Sequence, residues 1–275
     1  MAAPSKQKIL ILGASGFIGN ALYKELLGYF DTYGTYNTPN EFFRQNHQFH
    51  QFNLEADDIF EVLKEIKPSI VISAIRGEFN SQVIMHQHLI EYAELTKTKI
   101  IFLSSANVFD AYSKFPSYEY DKTLSESVYG RFKIKIENML MLLPKKQYTI
   151  LRLPMVFGVH SPRIKEIQEK LKEKKAIELF PNLIINATTD EKVTQQIHYI
   201  INRNKSGIFH LGSLDLLHHE ELINDIVIHL NNHQPIYKRV YTTNDDRFLA
   251  VLPKENMLPK NLQIKSEEII NNLNL

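Results

Sequence analysis

Over roughly its first 150 residues the chain alternates short apolar runs with longer amphipathic ones. Strand-like runs occur at Lys8–Leu12, Thr32–Tyr36, Gln48–Asn53, Ser69–Ala74, Lys99–Ser104 and Tyr148–Leu153. Helix-period patterns lie between them at Gly16–Leu27, Ala56–Ile66, Gln82–Thr96 and Thr123–Leu143. Strands alternating with helical crossovers predict an α/β fold with a doubly wound parallel sheet. Ile9, Leu10, Ile11 and Leu12 are apolar without a break, as a strand covered on both faces requires. After Gly158 proline and polar residues divide the chain into shorter pieces. Helices are expected near Ile164–Glu173, Glu191–Asn202, Glu220–Leu230 and Ser266–Leu273, and weaker strands at Gly207–Leu211 and Tyr237–Tyr241. The pattern divides the chain into a larger domain, 1–158, and a smaller lobe, 159–275, some of whose segments return to the core.

Composition narrows the function classes. The 275 residues are 44% hydrophobic and 23% charged with a net charge of +1, which leaves no bulk basic field for nucleic acid or an anionic membrane. There is no cysteine, so a disulfide framework, a cysteine metal site and a cysteine nucleophile are all excluded. The first eight residues are polar or small and run straight into a strand, and no apolar run approaches the roughly 18 residues of a membrane span. A cytoplasmic, soluble protein is expected. The lysines at 172, 174 and 175 alternate with Glu169 and Glu173 and read as a solvated helix face.

The strongest local signal is Gly13-Ala-Ser-Gly16-Phe-Ile-Gly19, set between the first strand and the first helix. In that context Gly13 permits a tight turn and Gly16 lets the backbone approach a pyrophosphate. Gly19 allows close helix–strand packing, and the phosphates rest on the helix N-terminus. The spacing predicts a Rossmann domain binding NAD(P). An NAD-specific site places a carboxylate about 20 residues on, at the end of the second strand. That position here reads Tyr36-Asn37-Thr38, where Asn37 and Thr38, and Arg44 beyond them, can donate to a 2′-phosphate. NADP is the preferred reading, with NAD as the alternative and Tyr36 stacking near the adenine in either case.

Tyr129 and Lys133 lie four apart in a helical pattern, which puts both on one face. A nearby ammonium lowers a phenol's pKa and suits it to proton exchange near neutral pH. The spacing alone is weak: with 13 tyrosines in the chain, about one such match arises by chance. Tyr118 and Lys122 share it, but in the proline-flanked segment Phe115-Pro-Ser-Tyr-Glu-Tyr-Asp-Lys122, which reads as a loop. Ser105, at the end of the fifth strand, supplies the hydroxyl that acid–base chemistry at a carbonyl oxygen needs.

The glycine loop, Ser104-Ser-Ala-Asn-Val-Phe-Asp110, Tyr118-Glu-Tyr-Asp121, Ser127-Val-Tyr-Gly-Arg-Phe-Lys133 and Ile150-Leu-Arg-Leu-Pro-Met-Val-Phe-Gly158 occur in one order. As a set they resemble the extended short-chain dehydrogenases/reductases, over at least the first 160 or so residues. Gly207-Ile-Phe-His-Leu-Gly212 extends the resemblance to that family, and Val108-Phe-Asp110, Asp246-Arg-Phe-Leu-Ala-Val and the short length resemble its dTDP-4-dehydrorhamnose reductase-like branch most. The resemblance implies that Tyr129 is the general acid/base, that Lys133 holds the nicotinamide ribose and tunes Tyr129, and that Ser105 hydrogen-bonds the reacting oxygen. It implies that Gly13, Ser15, Gly16, Phe17, Ile18 and Gly19 surround the pyrophosphate and that Pro154 borders the nicotinamide. Tyr36, Asn37, Thr38, Asn53, Leu54, Ala74, Ile75 and Arg76 complete the cofactor set. It further implies a nucleotide-sugar substrate reduced at a keto group and a homodimer through the helix bearing Tyr129. The chain departs from the family's pattern at Ser73-Ala-Ile-Arg76-Gly77, at Asn53-Leu54 and at Asn186-Ala-Thr-Thr-Asp190. Two rivals stay open: an epimerase or dehydratase that returns the hydride, and a regulatory subunit that binds NAD(P) without catalysis.

The histidines do not form a metal site. His86/His88 and His218/His219 lack helical ligand spacing, His47/His50 flank a strand, and His229/His233 have Leu230 where a zinc-protease motif carries glutamate. No G-x-S-x-G elbow marks a serine hydrolase.

Overall fold

The computed structural model describes residues 6–230 and 234–273. In chain order its first elements are β1 (Lys8–Leu12), α1 (Phe17–Leu26), β2 (Asp31–Tyr36), α2 (Glu41–Arg44), β3 (Phe49–Gln51), α3 (Ile59–Ile66) and β4 (Ile70–Ser73). Then come α4 (Phe79–Thr96), β5 (Lys99–Ser105), α5 (Val128–Leu140) and β6 (Tyr148–Leu153). The remainder is β7 (Met155–Phe157), α6 (Pro162–Lys172), β8 (Ile177–Leu179), β9 (Leu183–Ile185), β10 (Ala187–Thr189), α7 (Asp190–Asn202) and β11 (Gly207–His210). It closes with β12 (Leu217–His218), α8 (His219–His229), β13 (Tyr237–Arg239), β14 (Arg247–Leu249) and α9 (Ser266–Asn272).

The chain forms two compact units. One comprises residues 1–104, 132–151 and 197–208; the other 105–131, 152–196 and 209–275. The central sheet has seven strands in the order β11-β6-β5-β4-β1-β2-β3, and its β3-β2-β1-β4-β5 ladder is parallel. This is the doubly wound arrangement that the sequence predicts, with the order reversing between β1 and β4, where such sheets bind ligands beyond the strands' carboxyl ends. Leu10, Leu12, Val71, Ile100 and Phe102 of the strands bury against Leu63 of α3, Leu89 of α4 and Ile136 of α5. β1 from Ile9 to Leu12 and β4 from Ile70 to Ile72 are apolar without a break because helices cover both faces.

Several helix starts differ from the periodicity, each for a local reason. α3 begins at Ile59, not at Ala56, because Asp58 caps it by accepting from Phe60 N. α4 begins three residues earlier than expected, where Glu78 accepts from Ser81 N. α5 begins at Val128, since residues 123–127 are held as a loop by other partners described below.

The second unit buries its own core of Phe157, Ile164, Ile177, Leu179, Ile185, Leu222, Ile226 and Ile264. Its strands pair as short ladders, β10 with β7, β13 with β8, and β9 between β12 and β14. Arg152 is fully buried; its Nη1 donates to Glu119 O at 2.9 Å and its guanidinium lies 4.8 Å from the Phe109 ring centre. The Glu119 carboxylate, also fully buried, accepts from the backbone N–H groups of Lys254, Glu255 and Asn256. These bonds fasten the turn after Tyr118 to the chain beyond β14. Among the described residues no helix is long and apolar enough to cross a membrane. His229 ends α8, and His233 lies outside the described residues.

Candidate active site

Each glycine of the first loop has a different physical surrounding. Gly13 adopts φ +80°, and a Cβ there would meet Ala74 O and Ile75 Cα, both at 2.9 Å. A Cβ on Gly19 would meet Gly13 O at 2.1 Å, so α1 can leave the loop only through a glycine. At Gly16 the single neighbour is Gly13 O at 3.3 Å. A side chain at 16 would therefore project into open space in front of the first turn of α1. Gly16 is the N-cap of that helix and offers no side-chain acceptor, so the leading amides of α1 keep no cap partner there. Open space, bare amides and the positive end of a helix together fit the pyrophosphate of a dinucleotide. The loop is braced by Gly13 N donating to Thr35 Oγ1 at 2.9 Å and Ser15 N donating to Thr35 O at 3.3 Å.

Other residues expected to line the cofactor take varied positions. Asn37 and Thr38 are exposed just past β2, and Arg44 is exposed at the end of α2. The Tyr36 ring is buried and stacked on Phe43, 5.5 Å between centres. Asn53 ties down a turn, with its N–H on Asp57 Oδ2 and its Oδ1 accepting from Glu55 N. Leu54 packs on the core, and a Cβ on Gly77 would meet its Cδ2 at 2.8 Å. Ala74 and Ile75 are half-buried against Gly13, whereas Arg76 is exposed. Pro154 lies against Gly212, where a Cβ would meet its Cγ at 2.8 Å and the Asn186 amide at 2.3 Å. Asn186 bonds Ser213 O and both backbone groups of Val251.

Ser105 ends β5 and caps the short 3-10 turn Ala106–Phe109. Its Oγ accepts from Asn107 N at 3.2 Å and donates to Asn107 Oδ1 at 3.0 Å. The segment before α5 is laced to this turn. Leu124 N donates to Val108 O, Ala111 N to Leu124 O, and Glu126 N to Asp110 Oδ1. A Cβ on Gly130 would meet Ser125 Oγ at 2.0 Å and Asn107 O at 2.2 Å. The glycine after Tyr129 thus lets the start of α5 press directly on the turn that follows Ser105. Tyr129 itself is 39% exposed.

One helical turn along α5, Lys133 is only 6% exposed. Its Nζ donates to Leu103 O at 2.9 Å and lies 4.5 Å from the centre of the Phe102 ring. Burial draws its pKa down to about 7; Glu137 opposes that shift and Arg76 adds to it. Ser104 Oγ donates to Glu137 Oε1 at 2.5 Å, and both side chains are buried. On α4 the buried His86 donates from Nδ1 to Gln82 O (2.7 Å), its neutral ring accepts at Nε2 from Ser73 Oγ (3.0 Å), and burial, with Lys133 nearby, drives its pKa down to about 4.

Within the second unit a cavity of about 470 Å³ is lined by Asn107, Ser127, Phe180, Asn182, Arg247 and Phe248 among others. Arg247 Nη1 donates to Thr242 Oγ1 at 3.0 Å. Asn107, Ser104 and Glu137 escaped the sequence reading. The signals were present, an asparagine two residues after Ser105 and a glutamate four after Lys133, but such short polar spacings are common on any turn or helix. Among the described residues no group of three His, Asp or Glu side chains is placed to hold a metal ion.

The family model described as "RmlD substrate binding domain" matches residues 7–267. No curated protein matches the chain. Among solved structures, a dTDP-4-dehydrorhamnose reductase from Bacillus anthracis in complex with NADP is 20% identical with a TM-score of 0.77, covering 98% of each chain. A dTDP-4-dehydrorhamnose reductase from Clostridium acetobutylicum is 19% identical with a TM-score of 0.72, covering 89% of this chain and 90% of the other. A dTDP-glucose 4,6-dehydratase from Bacillus anthracis in complex with NAD is 15% identical with a TM-score of 0.76, covering 96% of each chain. At such identities these three establish the fold, which reductase and dehydratase share. The family match spans nearly the whole length, from β1 to α9, and on it the chain belongs to the RmlD substrate binding domain family.

Proposed function

We propose that this protein is an NADP-dependent oxidoreductase that reduces a keto group on a nucleotide sugar, with NAD as the second-choice cofactor. The observation that carries the reading is α5: it presents Tyr129 and Lys133 on one face, and Gly130 brings its first turn against the turn capped by Ser105. The glycine loop would hold the pyrophosphate on the amides of α1. The absence of a carboxylate at Tyr36-Asn37-Thr38, with Asn37, Thr38 and Arg44 exposed, supports a 2′-phosphate. Likeness to a reductase from Bacillus anthracis in complex with NADP agrees with that choice.

The reduced nicotinamide, when bound, supplies the hydride for the carbonyl carbon. Tyr129 then gives its phenolic proton to the carbonyl oxygen, and the Ser105 hydroxyl donates to the same oxygen, so developing charge meets donors already in place. Lys133 stabilises the phenolate left on Tyr129. The 470 Å³ cavity, lined by Arg247, by the carboxylates Asp110 and Glu126 and by Asn107, Ser127 and Asn182, supports a polar substrate in the second unit. The test is NADPH and NADH oxidation against keto sugars and keto nucleotide sugars. Turnover with a nucleotide sugar and preference for NADPH are expected; oxidation of neither cofactor by any of them would overturn the reading.

A further inference from the structure

We infer that Glu137, held by Ser104, is the positioning residue that keeps the buried Lys133 ammonium charged and directed at the carboxyl end of β5. The inference deepens the proposed function and rests on its assignment of Tyr129 and Lys133.

The starting point is a carboxylate with no solvent. Glu137 is fully buried, and a buried ionised group survives only against an opposite charge or several donors. Lys133 lies one turn earlier on the same helix, so helical geometry places the two side chains on one face. Ser104, the residue before Ser105, donates to Glu137 Oε1 at 2.5 Å, which fixes the carboxylate against β5. Lys133 Nζ in turn donates to Leu103 O at 2.9 Å. Two neighbouring residues at the end of β5 therefore grip the base and the acid of one helical pair.

The surroundings otherwise oppose a charge on Lys133. Phe102 and Phe132 flank its Nζ at 4.5 and 5.3 Å from their ring centres. Arg76, on the segment after β4, repels it, and His86, on α4, is driven neutral by burial and by Lys133 itself. Glu137 is the acidic group that acts against this burial and repulsion. A lysine that lost its proton would donate only weakly to a ribose hydroxyl and would bring no positive charge to stabilise the phenolate of Tyr129. Glu137 thus acts on the reaction through Lys133, without touching the reacting atoms.

The experiment is NMR titration of the full chain labelled with [¹³Cε]lysine, the Lys133 resonance being the one absent from Lys133→Arg. In Glu137→Gln the Lys133 midpoint should fall by at least one pH unit, a tenfold loss of the ammonium form at a given pH above the midpoint. Glu137→Asp should restore part of the shift. Ser104→Ala, which frees the carboxylate from β5, should move the midpoint in the same direction by less. The alkaline limb of kcat/KM should move with the NMR midpoint in each variant. A Lys133 midpoint unchanged in folded Glu137→Gln would overturn the inference and leave Glu137 a fastener of α5 to β5. Should Glu137→Gln fail to fold, an unchanged midpoint in both Glu137→Asp and Ser104→Ala would overturn it equally. Loss of the inference with an inactive Tyr129→Phe leaves the proposed function standing; full turnover by Tyr129→Phe removes that function whatever Lys133 titrates at.

Discussion

Residues 118–122 and 129–133 contain the same pair at the same spacing, a tyrosine four residues before a lysine, and the molecule treats them oppositely. Tyr118 sits in a turn closed by its own N–H on Asp121 Oδ2, its ring faces Lys254 at 5.1 Å, and Lys122 is exposed. Tyr129 and Lys133 lie on α5, with Lys133 buried on Leu103 O. The buried Glu119 carboxylate explains the first outcome, since its three backbone donors pull residues 118–121 into a clasp that no helix can enter. Gly130 explains the second, since only a glycine lets a helix begin against Asn107 and Ser125. The second pair, on which the proposed function places the chemistry, differs from the first in its helical backbone and in having one partner taken out of water.

The sharpest way to break this comparison is to remove each phenol. Tyr129→Phe should lower kcat by about 10³-fold, near the middle of the range for a lost general acid, whereas Tyr118→Phe should change it less than about twofold. Comparable losses in both would abolish the distinction. Next in size, Gly130→Ala forces a methyl to within 2.0–2.2 Å of Ser125 and Asn107 O. It should cost about 3 kcal/mol in urea unfolding, and the activity of the folded fraction should drop with it. A neutral Gly130→Ala would mean that the start of α5 is not pressed on the Ser105 turn.

A smaller effect follows from burial around both pairs. His86 near Lys133 and His210 beside Arg152 have pKa values lowered to about 4 and about 3, mainly by desolvation. Their ordinary value is about 6.5. Below that pH the unfolded chain binds protons that the fold refuses, so stability must fall as pH drops from about 6.5 toward 4. Each histidine should remove about 2 kcal/mol between pH 6.5 and 5. Thermal melts across that interval should steepen accordingly, and His86→Gln should flatten the dependence; a Tm independent of pH would contradict the burial described. The smallest change in fold is expected at Gly16→Ala, where a Cβ meets only Gly13 O at 3.3 Å. Melting should stay within about 0.5 kcal/mol of wild type while NADPH binding weakens by about tenfold.

The first half of the fold was legible because its signals are local. A continuous apolar run announces a strand covered on both faces, and three glycines at one strand–helix junction announce the turn after β1. β7, β8, β9, β10, β12 and β14 were not legible, since two or three residues carry no period and are fixed by partners far along the chain, as Asn186 is by Val251. In the proposed site, Ser105, Tyr129 and Lys133 are candidates that spacing and order suggest. Asn107, which binds Ser105 Oγ twice, and Glu137, which meets Ser104, could not be picked in that way: their significance lies in contacts made across a turn or between α5 and β5.

The central claim is a hydride delivered to a keto carbon as Tyr129 protonates its oxygen. It is tested most directly with NADPH deuterated at the transferable C4 position and a keto nucleotide sugar, followed by mass spectrometry of the product. The account predicts one deuterium on the new carbinol carbon for each NADPH consumed, and almost none formed by Tyr129→Phe with the cofactor still bound. Product without deuterium, or isomerised substrate with no NADPH consumed, would contradict it.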